Sequence, residues 1–94
     1  MSITFSVLDL MPTRPDGSHA QTMRKTVQAV QAAERFGFNR FWVAEHHNAG
    51  SLLSSATVVV MAELAAATER IRVGSGGIML PNHAPYVVAE QFGT

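Results

Sequence analysis

The sequence predicts an α/β fold with parallel strands, in the order strand, helix, strand, helix, strand, helix. Three observations support this. Short apolar runs of strand length alternate with longer stretches whose apolar residues recur every three or four positions. Strand starts fall near residues 3, 40 and 71, a spacing that fits one strand plus one helix per unit. Each strand then runs into polar or small residues, as in folds whose pockets are built at the C-terminal ends of parallel strands.

Ile3 to Leu8 reads as the first strand, with Ile3, Phe5 and Val7 on one face and Thr4, Ser6 and Leu8 on the other. A loop follows, marked by Pro12, Pro15 and the turn pair Asp16–Gly17. Ser18 and Gln21 have capping-box spacing, so the first helix begins there, and Met23, Val27, Val30 and Ala33 give it an apolar face. Gly37 supplies its left-handed stop. Arg40 to Ala44 is the second strand, apolar on both faces, as expected between covering helices and a core. Ser54 or Ser55 caps a second helix running to about Thr68. Ile71 to Gly74 is the third strand, and Pro85 opens a third helix that Gly93 can end.

A βα unit of a TIM barrel averages about 31 residues, and doubly wound sheets have similar units, so spacing alone does not choose between them. The first turn, LDLMPTRPDG, lacks the G-x-G-x-x-G pattern of a dinucleotide-binding sheet.

Composition narrows the function. The 94 residues carry 7 basic and 7 acidic side chains, which gives no basic field for nucleic acid. There is no cysteine, so disulfide frameworks and thiolate metal sites are excluded and a reducing cytoplasm is expected. The opening MSITFSVLDL lacks a basic n-region, so no signal peptide is expected, and no apolar run approaches the roughly 20 residues of a membrane span.

The chemistry gathers at the predicted strand ends: Asp9, Glu45 to Asn48, and Ser75 to Gly77. In FWVAEHHNAG, residues 41 to 50, an apolar strand ends in a carboxylate, two imidazoles and an amide. Neighbours on a strand point to opposite faces. If His46 faces the pocket, Trp42 and Ala44 share its face and Glu45 turns towards the helices. A histidine there can shuttle a proton near neutral pH, or it can merely cap a loop. Glu45, His46 and His47, with His83 as a third imidazole, also contain the residue types of a metal site. Adjacent strand residues diverge, however, and no metal is expected. His83 itself is expected to face solvent rather than the rim.

GSGGIMLP places Gly74, Gly76 and Gly77 at a strand end, where glycine permits a sharp turn or the close approach of a flat ligand. No Lys-Ser/Thr follows, so it is not a phosphate loop. Met11, Met23, Met61 and Met79 suit core or pocket lining. The alanines of the second helix allow close packing on its own sheet or on another subunit.

WVAEHHN, joined at this distance to IRVGSGGIMLPNHAPYVVAEQFGT, resembles the luciferase-like flavin-dependent monooxygenases. The likeness is closer to the broad family of bacterial flavin oxidoreductases than to the light-emitting enzymes. It runs through all 94 residues and corresponds to the first quarter to third of a family member. The resemblance implies that residues 1–94 are the first three β/α units of a TIM (β/α)8 barrel, an incomplete domain expected to be inactive alone. It implies reduced FMN, supplied by a separate flavin reductase or NAD(P)H, which reacts with O2 to give a C4a-peroxyflavin that oxygenates an organic substrate.

His46 matches the family's active-site histidine, the implied catalytic proton handler. Ser75, Gly76 and Gly77 match the cofactor-binding strand end, where these barrels often carry a non-proline cis peptide at the glycine pair beneath the isoalloxazine ring. His47 and Glu90 match positions at the subunit interface of dimeric members, so a homodimer of the full-length protein is implied. Glu45 would orient the strand end through hydrogen bonds. Two alternatives remain at this stage: hydride transfer with a deazaflavin coenzyme, and a non-catalytic short chain that assembles through its alanine-rich and third helices.

Overall fold

A capping box opens the first helix, as its spacing predicts. In the computed structural model, which describes residues 2–94, the Ser18 hydroxyl accepts the Gln21 N–H at 3.1 Å. The Gln21 side-chain oxygen in turn accepts the Ser18 N–H at 2.9 Å. Two donors that the helix cannot pair internally are thus satisfied. Helix α1 spans His19–Arg35, and Gly37 turns the chain away at a φ of 83°.

The buried stripe of α1 differs from the predicted one. It is Thr22, Thr26, Val30 and Ala33, while Met23 and Val27 are only partly buried beside it. Threonine is tolerated there because each hydroxyl bonds back along the helix. Thr26 Oγ1 donates to Thr22 O at 3.0 Å and Thr22 Oγ1 to Ser18 O at 3.5 Å. No unpaired hydroxyl enters the dry side.

Three parallel strands form one sheet in the order β1-β2-β3: β1 Ser6–Asp9, β2 Arg40–Val43 and β3 Arg72–Ser75. β1 is shorter than Ile3 to Leu8, because the ladder begins only where Ser6 meets Arg40. Ile3 and Phe5 are left 73% and 63% exposed. The pairings Asp9–Val43 and Val43–Ser75 bring all three C-terminal ends level. This strand order excludes a flavodoxin-like 2-1-3 arrangement but is shared by barrels and by half of a dinucleotide-binding sheet.

Helix α2, Thr57–Ala66, begins without the predicted serine cap: its N-cap is Ala56, which makes no side-chain bond. Two nearby hydroxyls, those of Ser54 and Thr57, are committed to the strand ends instead. Ser54, fully buried, donates to Leu10 O at 3.2 Å, and Thr57 Oγ1 donates to Ala44 O at 3.0 Å. A 3-10 turn, Leu80–Asn82, leads to helix α3, Pro85–Gly93, which has Pro85 at its first turn as predicted and no buried residue.

Strand alternation decides where the core lies. Phe41 and Val43 point to the helix side and pack with Met11, with Val30 and Ala33 of α1, and with Val60 and Leu64 of α2. Leu8 and Trp42, on the other parity, stay 54% and 39% exposed. One face of the sheet is therefore covered and the other open. Among the described residues no helix is long and apolar enough to cross a membrane.

At the N-terminal edge of the sheet, Glu34 Oε2 accepts three successive backbone N–H groups: Glu69 at 3.0 Å, Arg70 at 2.6 Å and Ile71 at 2.9 Å. The bonds from Arg70 and Ile71 are the main reason its carboxyl is held below the ordinary glutamate range. Glu34→Ala should therefore lower the urea midpoint of unfolding with little change in slope. Glu34→Gln, which keeps one accepting oxygen, should lower it less.

Candidate active site

The three level strand ends form a rim whose loops are stitched together. Asp9 Oδ1 accepts the Met11 N–H at 2.7 Å, and Met11 takes a left-handed φ of 53° that carries the chain out of β1. Met11 O accepts Leu53 N–H at 2.9 Å, and Ser51 O accepts Thr13 N–H at 2.8 Å. The loop after β1 is thus bound to the loop after β2. His46 is held by the same seam, since its N–H donates to Ser54 O at 2.8 Å. Its ring is half-buried, with Nδ1 3.4 Å from Glu45 O. Asn48, at a φ of 54°, turns the chain back after the two histidines, a conformation asparagine adopts more readily than most residues.

Glu45 continues the parity of Phe41 and Val43 and is buried on the helix side, in agreement with the alternation argument. Its side chain is only 1% exposed and three donors surround it. His47 Nε2 lies 2.6 Å from Oε2, and Met79 N–H donates to Oε1 at 3.1 Å. His83 Nε2 lies 3.0 Å from both oxygens. Burial works to raise this carboxyl's pKa. The hydrogen bonds from His47, Met79 and His83 outweigh it and hold the value down to about 2. His83 is thus not turned to solvent, as its sequence position suggests. The 3-10 turn brings it back over the end of β2, where Glu45 needs a donor. Among the described residues no group of three His, Cys, Asp or Glu is arranged to hold a metal ion.

The glycines form the adjoining part of the rim. Gly76 N–H donates to Val43 O at 2.8 Å and extends the β2–β3 ladder by one bond. The Gly76–Gly77 peptide is cis, as the family resemblance implies. On the open face of the sheet, Trp42 lies across β3. A Cβ added at Gly74 would stand 3.2 Å from the indole Cδ1, and one at Gly76 would stand 2.8 Å from Leu8 Cδ1 and 3.3 Å from Trp42 Cβ. A side chain at either glycine would crowd these neighbours. Gly77 is different: a Cβ there would meet nothing within 4 Å. Its bare backbone borders open space.

The structure therefore brings His46 and the Ser75–Gly77 segment to neighbouring strand ends, β2 and β3. His47, 43% exposed, is tied to Glu45, and Glu90 stands exposed on α3. Sequence reasoning assigned Glu45 only a supporting role, offered Ser54 as a candidate helix cap, placed Trp42 on the face of His46 and did not single out Thr57. The available signal was parity: a carboxylate in step with Phe41 and Val43 is buried, and a buried carboxylate must collect donors.

A parallel α/β sheet covered by helices on one face, with polar residues and bare glycines at the strand ends, is the kind of chain that builds pockets at the C-terminal ends of its strands, in barrels and in doubly wound sheets alike. The family profile described as luciferase-like monooxygenase matches residues 3–94, and the chain belongs to that family. It is 49% identical over 94 residues to a luciferase-like monooxygenase of Escherichia coli (strain K12), covering 99% of this chain and 28% of that protein.

Among solved structures, apo-MsnO8 superposes with a TM-score of 0.92 at 36% identity, over 97% of this chain and 28% of that one. The oxygenating constituent of 3,6-diketocamphane monooxygenase from Pseudomonas putida, solved with FMN, gives a TM-score of 0.83 at 21% identity, over 99% of this chain and 26% of that one. The chain thus spans about a quarter of the length of the relatives it matches and corresponds to their N-terminal portion.

The Glu45 carboxyl has a sign-definite consequence. Its folded value of about 2 lies below the ordinary 4.5, so its contribution to stability is complete above about pH 4.5 and is lost as pH falls towards 2. Unfolding free energy measured across that interval should decline on acidification, and the decline should be shallower in Glu45→Gln.

Proposed function

We propose that residues 1–94 supply the first three β/α units of an FMN-dependent monooxygenase barrel that oxygenates an organic substrate with O2. The observation that carries this reading is that His46 and the side-chain-free surface at Gly77 follow the ends of neighbouring strands in a parallel sheet with one open face. A flat heteroaromatic ring needs bare backbone against one face and apolar neighbours at its border. Gly77 provides the bare backbone, and Trp42 and Leu8, which lie against the adjoining Gly76, provide the apolar neighbours. The binding of FMN by the Pseudomonas putida neighbour is in keeping with that fit. When bound and reduced, the flavin supplies electrons and activates oxygen.

The roles of this chain's residues follow from their positions. Ser75, Gly76 and Gly77 would hold the ring, and Trp42 and Leu8 would give it an apolar border. His46, fixed through its backbone to Ser54, holds or releases a proton beside the ring. The reading extends to a homodimer in which His47 meets Glu90 of the partner subunit. Both side chains are accessible. A cytoplasmic location accords with the absence of cysteine.

Oxygen uptake by the full gene product with reduced FMN tests the proposal. Uptake should depend on FMN; hydride transfer to a deazaflavin without oxygen consumption would overturn it. His46→Ala should lower kcat by about 10²- to 10⁴-fold, the usual size of a lost acid–base group, with FMN affinity nearly unchanged. Unaltered kinetics would remove His46 from the mechanism. Gly77→Ala, whose methyl enters the proposed ring space, should weaken FMN binding by about tenfold while leaving thermal unfolding in place.

A further inference from the structure

Glu45 draws together parts of the chain that are far apart in sequence. His47 belongs to the loop after β2, Met79 follows the glycine pair two residues beyond Gly77, and His83 stands just before α3. Ionised, a carboxylate can only accept hydrogen bonds. Each ring nitrogen that meets it must therefore carry a proton. At 2.6 Å from His47 Nε2 and 3.0 Å from His83 Nε2, Glu45 requires Nε2–H on both rings. In their neutral forms, Nδ1 is then the lone-pair nitrogen of each. With the side chain 1% exposed, water has little access to compete for these bonds.

We infer that Glu45 is a positioning residue of the site, tying the segment after Gly76–Gly77 to the end of β2 and selecting the Nε2–H form of His47 and His83. The inference rests on the flavin reading only where ring binding is concerned. His46 lies between Glu45 and His47 in the chain, and its Nδ1 is 3.4 Å from the Glu45 carbonyl. The Met79 N–H bond, 3.1 Å to the same side chain, fixes the far end of the glycine segment. One carboxylate thereby sets the distance between the proton-handling strand end and the bare glycine surface.

Glu45→Gln keeps the size and shape but replaces one accepting oxygen with an NH2 donor. That donor must face one of the groups that now donate. A histidine can adapt by turning a lone pair towards it, which moves its proton to Nδ1.

Nitrogen-15 NMR of the histidine-labelled full gene product at neutral pH reads this directly, with His47→Gln and His83→Gln assigning the resonances. In the wild type both rings should show Nε2 protonated. In Glu45→Gln at least one should shift towards the Nδ1–H form, and FMN titrated into the same sample should bind about tenfold more weakly, the size expected for losing a bond to a charged group. A wild-type spectrum with either ring in the Nδ1–H form overturns the inference, whether or not the variant folds. So does a folded Glu45→Gln protein with undiminished FMN affinity. Should the wild type itself fail to bind FMN, the flavin reading falls while the tautomer result still decides the role of Glu45 towards its histidines.

Discussion

A carboxylate withdrawn from water at a strand end constrains everything around it. Glu45 is buried because it continues the parity of Phe41 and Val43, and a charge in that position must be surrounded by donors. The chain meets the requirement by returning over the end of β2 after leaving β3. Met79 supplies a backbone N–H, the 3-10 turn reverses the direction, and His83 arrives with its imidazole. The course of residues 76–84, and with it the placement of the glycine pair, follows from the need to solvate one side chain without water.

The same device is used at the opposite end of the sheet for a different purpose. Glu34 gathers three consecutive backbone N–H groups and anchors the turn into β3. There the carboxylate stands among backbone donors alone, which suits a fastening. At the rim, Glu45 collects two imidazoles along with its one amide, so its donors include titratable rings whose protons can be placed. This agrees with the division of labour in barrels, in which the N-terminal face of the sheet serves stability and the C-terminal face chemistry.

What was legible in the sequence was what depends on neighbours in the chain. The Ser18–Gln21 box, the left-handed Gly37, Pro85 at the first turn of α3 and the three strands all rest on local spacing, and all are present. The barrel-type reading and the cis Gly76–Gly77 peptide came instead from the family resemblance. What escaped local reading depends on partners brought close only by folding. Glu45 finds Met79 and His83 at separations of 34 and 38 residues, and Ser54 finds Leu10 at 44. A hydroxyl just before a helix looks like a cap until a strand-end carbonyl competes for it. Thr22 and Thr26 mislead for a related reason: composition marks them polar, although bonds along their own helix let them lie among apolar neighbours.

Trp42 is the one tryptophan of the chain, and its indole lies over Gly74 and Gly76 on the open side of the sheet. Indole emission overlaps the near-ultraviolet absorption of many conjugated heterocycles. Any such chromophore settling on Gly76–Gly77 would sit within a few ångströms of the emitting ring, where excitation passes to the acceptor rather than out as light. The sheet thus carries its own lamp beside the surface it offers, and the dimming of that lamp would report occupancy of this rim without a label.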